Sequence, residues 1–430
     1  MDALISIARW IANNIFREPA SLIGLVALTG LLLQRKSVSE IVTGTVKTIL
    51  GFMIIQGGST LIANSLGAFG PIWQEVFGMA GGTQTSGMST QAFLGSYGGA
   101  VTLIMTFGFL VNVLLARITK HKYIYLTGHM MFWVSFVYAG IVVQVFGQGV
   151  SQLWMIVSGA ILLGAYWTLQ PAYLQKYVKS FTGKDNFAVG HTFSTGAWLG
   201  AVLGKWFGNK DNDTEDLNMP EGFGFLKDSN VVIVLVMGIM YGLGALLAGA
   251  DFVAEYAGNK NHVIFGILKG FRFGAGIAVV LHGVKLLIGE IVPAFRGISQ
   301  KLVPNSKPAL DVPVTYAYAP AATIIGFAAS FVTMAVIMLI MGATGFYVFV
   351  PPMIAIFFHA AGAGVFGNET GGVKGAIIAG VVVGAIITFG QAIFIKFIIP
   401  DTVTEFILWG GDTDMFIFGS ILKWIMTLFA

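Results

Sequence analysis

Apolar runs of about 20 residues recur along the whole chain, separated by short polar stretches. A hydrocarbon core about 30 Å thick takes roughly 20 residues of helix to cross. Segments such as Val231–Ala250, Ala321–Met341 and Ala376–Ile399 meet that length with few or no charges. The pattern places spans near 20–34, 41–66, 93–117, 123–147, 151–173, 231–250, 263–291, 318–342, 346–366 and 374–399. Two further segments, 187–207 and 401–430, are apolar but interrupted. The prediction is an all-α polytopic membrane protein of about eleven transmembrane helices. Met1–Arg17 carries Arg9 and Arg17 within an apolar pattern and has no small-residue cleavage site, so an amphipathic N-terminal helix is expected rather than a cleaved signal peptide.

Polar residues within the apolar pattern predict two departures from simple spans. Phe187–Phe207 is interrupted by Gly190, Thr192, Ser194 and Gly196, and Lys184, Lys205 and Lys210 flank it on both sides. Basic flanks at both ends put both ends on one side, which predicts a re-entrant hairpin; such backbone is tolerated only beside a cavity or within protein. Leu310–Pro320, with Pro313 and Pro320 around Asp311, predicts a second non-helical stretch. Basic residues concentrate after alternate spans: Arg35 and Lys36, then Arg117, Lys120 and Lys122, then Lys176, Lys179 and Lys184. Gly67–Gln91 and Gly147–Gln152 contain neither Lys nor Arg. Positive-inside reasoning makes the first group cytoplasmic, together with Lys205–Asn230 and Arg296–Lys307, and the second group external, with the amino terminus outside.

An internal repeat appears at an offset of 226 residues: Ile41, Gly44, Ile55, Gln56, Gly57, Leu61 and Ile62 align with Ile267, Gly270, Leu281, His282, Gly283, Leu287 and Ile288. A weaker match pairs Gly159 with Gly380 and Gln170 with Gln391. The first copy begins at a cytoplasmic loop and the second ends at one, so the halves 1–230 and 231–430 are expected to be inverted repeats of the secondary-transporter kind. Glycines that only allow close helix packing would give similar matches.

Composition narrows the function. The chain is 10% charged and 13% aromatic, with a formal net charge of +4 and no cysteine. Disulfides, thiolate metal sites and cysteine nucleophiles are excluded, and the basic loops read as topology rather than as a nucleic-acid surface. The longest polar connection, Lys205–Asn230, is too short for a catalytic domain, and no zincin, triad, dinucleotide-binding or kinase pattern occurs. No cofactor and no metal are expected.

Three ionisable residues stand out. His129, in L-T-G-H-M-M-F, suits donation to a substrate oxygen or proton shuttling, and equally an interfacial histidine wetted by headgroups. His191 lies in G-H-T-F-S-T-G, where glycines expose backbone N–H groups. Asp311 is an acid in apolar sequence; intramembrane acids are functional by default, though a loop aspartate also caps helices. His282, Lys285 and Glu290 share one span, and Lys47, Lys269, Arg272 and Lys396 suit snorkelling. Gly81–Ser89 resembles a phosphate-cradling loop in composition only, lacking the spacing and the lysine.

Several ordered strings, R-K-S-V-S, G-T-V-K-T-I-L-G-F-M, A-R-I-T-K with L-T-G-H-M-M-F, G-I-S-Q-K-L-V-P and Y-A-P-A-A-T-I-I-G-F, resemble the ascorbate-specific membrane subunit (IIC) of the bacterial sugar phosphotransferase system. The similarity runs from about Arg35 to Gly367 and more weakly to the end. It implies a homodimer in the bacterial inner membrane, built from inverted repeats, whose core domain carries sugar past a dimerising scaffold. It implies sugar contacts from His129 and the residue four further on, Trp133, from His191 and its successor Thr192, and from Asp311. Ungapped placement of an external contact loop adds Ser86 and Gly87. Trp133 and Thr192 stand where the family has glutamines, removing two amides that would grip hydroxyls and pointing to altered affinity or a related sugar acid. The family moves phosphate from a phosphocysteine on a separate IIB protein, itself charged by IIA, onto the bound sugar. A cysteine-free chain without a soluble domain is then the translocating subunit, with Asp311 the candidate proton acceptor. The competing reading is an ion-coupled or facilitative carrier of small carboxylates that needs no phosphoryl partner.

Overall fold

A computed structural model describes residues 10, 19–78, 87–88, 90–217, 229–346, 353–402 and 411–430. The expected amphipathic N-terminal helix and most of Gly81–Ser89 lie outside the described residues. The chain is built almost wholly of helices, and seven of those described are long and apolar enough to cross a membrane. Large apolar side chains such as Leu114, Ile161, Leu243 and Val336 face outward, as lipid contact requires.

The two longest unbroken helices form one layer. Helix α2 (Val38–Val76) follows α1 (Pro19–Leu33) and opens on a capping box, Ser37 Oγ accepting from Glu40 N at 3.3 Å and Glu40 Oε2 from Ser37 N at 3.0 Å. Helix α9 (His262–Lys301) starts at Asn261, whose side chain accepts from Val263 N and Ile264 N. These helices cross antiparallel through glycines. A Cβ on Gly51 would stand 2.7 Å from Leu287 N, and one on Gly283 would stand 2.7 Å from Ile55 N, so only Gly lets the backbones approach this closely. Lys47, expected to snorkel, lies 3.4 Å from Glu290 across this crossing. Helix α7 (Ser229–Ala248) packs on α9 and leads through α8 (Ala250–Ala257) into it.

The second body comprises α3 (Thr90–Ile118), α4 (Gly128–Phe146), α5 (Gln152–Thr182), α6 (Ser194–Phe207), α10 (Pro320–Ala343), α11 (Met353–Ile393) and α12 (Thr413–Thr427). Helix α11 carries the described parts of two segments predicted as separate spans, 346–366 and 374–399, as two limbs divided at non-helical Gly372, with φ 61° and ψ −151°. The backbones of Gly367 and Gly375 touch across that break, so the limbs fold back on each other. The break rests on the loop after α6, where Val373 N donates to Asn212 O at 2.8 Å.

Three short strands were not visible in the apolar pattern: β1 (Tyr123–Tyr125), β2 (Ala188–Val189) and β3 (Lys307–Leu310). They form a parallel sheet in the order β1-β3-β2, with Tyr125 opposite Ala309 and Val189 opposite Leu310. Buried strand edges must find hydrogen-bond partners. Two amides supply them. Asn112 on α3 donates to Tyr123 O and accepts from Tyr125 N, both at 3.0 Å, on the β1 edge. Gln170 on α5 donates to Val189 O at 3.3 Å and accepts from His191 N at 3.1 Å on the β2 edge.

The basic loops gather at one end of the bundle. Lys307 pairs with Asp185 at 2.5 Å, and Glu369 beside the Gly372 break meets both Lys210 and Ser180. At the other end, Met88 N bonds Thr402 O, and Gln144 near the end of α4 bonds Asp401 and Thr402.

Candidate functional site

The parallel sheet fixes the site, because its three carboxyl ends point the same way. Four residues past β1 comes His129, in the first turn of α4; two past β2 comes His191; immediately past β3 comes Asp311. Thr127 Oγ1 donates to Gly190 O at 2.5 Å and ties the first two exits together. Residues 62 and 120 positions apart in the chain are thereby brought to one point.

Asp311 sits between the two histidines. His129 Nε2 lies 3.7 Å from its Oδ2 and His191 Nε2 lies 3.7 Å from its Oδ1, while Oδ1 also accepts from Val312 N at 2.7 Å. The carboxylate therefore caps the short 3₁₀ turn Val312–Thr315 and faces both imidazoles, so the two sequence readings of Asp311 coexist. His191 Nδ1 accepts from Phe193 N at 3.3 Å, which assigns its proton to Nε2, on the Asp311 side. His191 is buried, whereas the His129 side chain is 38% exposed and Asp311 17%. The trio thus presents one carboxylate acceptor, the Nε2–H of His191 and the partly exposed imidazole of His129.

Behind it lies a second polar layer that the sequence reading missed. The ring of His359, on the first limb of α11, stands 5.1 Å from that of His191. His359 Nε2 is 2.7 Å from Asp412 Oδ1, with both side chains about 5% exposed or less. Asp412 Oδ2 accepts from the Thr192 hydroxyl, which also meets Met130 Sδ. Asp414 then grips the start of α6: Oδ1 accepts from Thr195 N at 2.6 Å and Oδ2 from Tyr166 Oη at 2.6 Å, while its own N–H donates to Thr192 O at 2.9 Å. The run G-G-D-T-D ahead of an apolar helix was the available signal, since acids at membrane depth are costly and need partners.

Two overlapping trios, His129–His191–Asp311 and His191–His359–Asp412, bring metal-type donor atoms within 4.8 Å of one another. In the second, the 2.7 Å between His359 and Asp412 leaves no room for an ion between them, since zinc ligands stand about 2 Å from the metal on separate sides. Direct ion pairing accounts for that contact.

The structure places the remaining expected residues as follows. Trp133, one turn along α4 from His129, packs edge-on to Phe132 and Phe136 at 5.1 and 5.6 Å. Thr192 joins the cluster, but its hydroxyl is committed to Asp412. Gly87, with φ 118°, lies against Asp401 and Thr402 at the Gln144 end of α4. At 1.5 Å per residue that is about 22 Å from His129. Ser86 lies outside the described residues. His282 and Lys285 are exposed on α9, away from the cluster.

Only a crevice of about 10 Å³ separates His129, Thr127 and Asp311 from Ile23 of α1, Phe52 of α2 and Leu287 of α9. That volume is the room of a single water, far below the few hundred Å³ of a small-molecule pocket.

A sequence profile of the PTS system sugar-specific permease component matches residues 14–423. The chain is also 26% identical, over 458 aligned positions, to the "Ascorbate-specific PTS system EIIC component" of Mycoplasma pneumoniae, an alignment covering 92% of this chain and 67% of that protein. This polytopic helical chain, matched over nearly its whole length, belongs to the family of PTS system sugar-specific permease components.

Proposed function

We propose that this chain is the translocating subunit for L-ascorbate or a related sugar acid, working in the bacterial inner membrane as a homodimer and passing its substrate to a phosphorylated IIB protein charged by IIA. The observation that carries the reading is the convergence of His129, His191 and Asp311 at the carboxyl ends of one parallel sheet. The name of the M. pneumoniae relative supports the substrate class. Trp133 among phenylalanines and Thr192 bound to Asp412 leave hydroxyl recognition to the two histidines and Asp311. That is the family's set without its two amides, and it favours a close variant of ascorbate as strongly as ascorbate itself.

In the transfer step a sugar hydroxyl oxygen attacks phosphorus, the bond from phosphorus to the IIB cysteine sulfur breaks, and the hydroxyl proton passes to a base. Asp311 is that base in our reading. It is one strand length from the basic loop Arg296–Lys307, and transfer of this kind depends mainly on positioning and electrostatics. The chain itself carries no phosphate at any stage. The antiparallel crossing of α2 and α9, the helices paired by the 226-residue offset, supports the division into inverted repeats 1–230 and 231–430.

The test uses purified chain in liposomes with labelled ascorbate, with and without the relay proteins. Phosphorylated sugar should form only with phospho-IIB present. Replacing His129, His191 or Asp311 by Ala should weaken binding by about 1–3 kcal/mol, the cost of stranding a buried polar partner. Uptake at full rate without the relay would replace this reading by that of an unphosphorylated carboxylate carrier.

A further inference from the structure

A second polar cavity, of about 530 Å³, lies at the opposite end of the same sheet. Its walls include Lys120, Lys122, Asp185, Arg296, Ser306 and Lys307. The cations come from three separate chain segments: the turn before β1, the last part of α9 and the start of β3. Four positive charges against the one carboxylate give the cavity a net charge of +3. Lys307 is held by Asp185 at 2.5 Å, and Lys122 Nζ donates to Arg117 O at 2.9 Å. Lys120 and Arg296, both exposed, have no acidic partner among the described residues. The Ser306 hydroxyl is also without a hydrogen-bond partner, although Ser306 is only 5% exposed.

Topology alone does not require this arrangement. Lysines that only set orientation can splay into water or among headgroups. Here they line a concave wall with an unpartnered hydroxyl beside them. A phosphate monoester carries about −1.5 to −2 charges near neutral pH and three strong acceptor oxygens, which matches a cationic wall with a spare donor. The four residues of β3, at about 3.3 Å each, set the cavity about 13 Å from Asp311 along one rigid strand.

We propose that this cavity holds the phosphoryl group in transit: a phosphoryl dianion, either the S-phosphoryl group of the phosphorylated partner protein or the phosphate monoester of the phosphorylated sugar that leaves. The inference rests on the phosphotransfer reading above. It adds a second anion-binding station, separate from the sugar cluster, on the cytoplasmic side of the sheet.

The probe is labelled inorganic phosphate, bound to purified full-length chain in phospholipid-free detergent. Wild type should bind it saturably. Lys120→Gln/Arg296→Gln should bind it at least tenfold more weakly, while Lys260→Gln/Lys374→Gln, exposed lysines outside the cavity, should match wild type. Ascorbate affinity, read on the same preparations, should be unchanged in both variants. A sugar monophosphate that displaces the probe identifies the leaving product as the source, and displacement by the phosphorylated partner protein identifies the donor. Absence of saturable binding, equal weakening in the control pair, displacement by neither, or displacement only by an anionic phospholipid would overturn the proposal. Loss of ascorbate binding with phosphate binding intact would instead overturn the substrate assignment and leave the cavity standing.

Discussion

Replacing Asp412 by asparagine tests whether the second polar layer holds the His191 turn in place. The carboxylate is 4% exposed, lies 2.7 Å from His359 Nε2 and accepts from the Thr192 hydroxyl, so one charge organises two partners. Asparagine keeps the shape and one acceptor but removes the charge. A buried hydrogen bond to a charged group contributes about 1.5–3 kcal/mol against about 0.5–1.5 for a neutral one. The Thr192 hydrogen bond therefore loses about 1–1.5 kcal/mol, and loss of the His359 ion pair adds to it. Part of that loss should reach the sugar, because His191 stands 5.1 Å from His359 and directly precedes Thr192. We expect Asp412→Asn to lower the midpoint of thermal unfolding in detergent and to weaken ascorbate binding about tenfold, equivalent to about 1.4 kcal/mol, by isothermal titration. Asp412→Ala, which strands a buried imidazole, should lose about 3–5 kcal/mol of stability. Asp185→Asn, in the loop between α5 and β2, is the control for loss of a carboxylate. If Asp412→Asn unfolds and binds as wild type does, the His359–Asp412–Thr192 link does not support the site.

The antiparallel crossing of α2 and α9 should be intolerant of added bulk. Gly283→Ala would set a Cβ 2.7 Å from Ile55 N and 2.9 Å from Gly51 O, and should destabilise by about 1–3 kcal/mol, whereas Gly289→Ala on the same helix meets open space and should be neutral or mildly stabilising; equal unfolding midpoints would refute the close approach. In this cysteine-free chain, Asp211→Cys should be labelled by an impermeant thiol reagent only in inside-out vesicles and Gln148→Cys only in intact cells, and the reverse pattern would invert the topology. Partial burial pushes the Asp185 carboxyl up, but the Lys307 ammonium at 2.5 Å and the Gln175 amide at 2.9 Å outweigh it, leaving the group below its ordinary value of 3.8. A depressed acid stabilises the fold above its unfolded value and loses that contribution as pH falls through the folded one. Wild type should therefore exceed Asp185→Asn in stability at neutral pH by less than about 1 kcal/mol, as expected for a partly exposed pair, and the difference should shrink as pH falls below the ordinary carboxyl value of 3.8. A constant difference across that range would show that the pair is not ionic.

The spans were legible because hydropathy is a local property: each helix satisfies its own backbone, so about 20 apolar residues specify a crossing whatever surrounds them. Glycines and prolines beside polar residues marked His129, His191 and Asp311 for the same reason, since each interrupts an apolar run. The sheet that unites them was not legible. Strands of two to four residues are too short for a period to appear, and they exist because Asn112 and Gln170, on other helices, satisfy their edges. Pairing of His359 with Asp412 was hidden as well, because a single histidine within a span gives no indication of which distant acid will meet it. Gly87 shows the opposite case: ungapped placement of the family's external contact loop put it at the sugar, but the length of α4 sets it about 22 Å from His129. Apolar length and interruptions thus determined where the chain crosses and where it breaks. Which breaks meet was decided by long-range backbone pairing and glycine-to-glycine packing, which depend on residues far apart in the sequence.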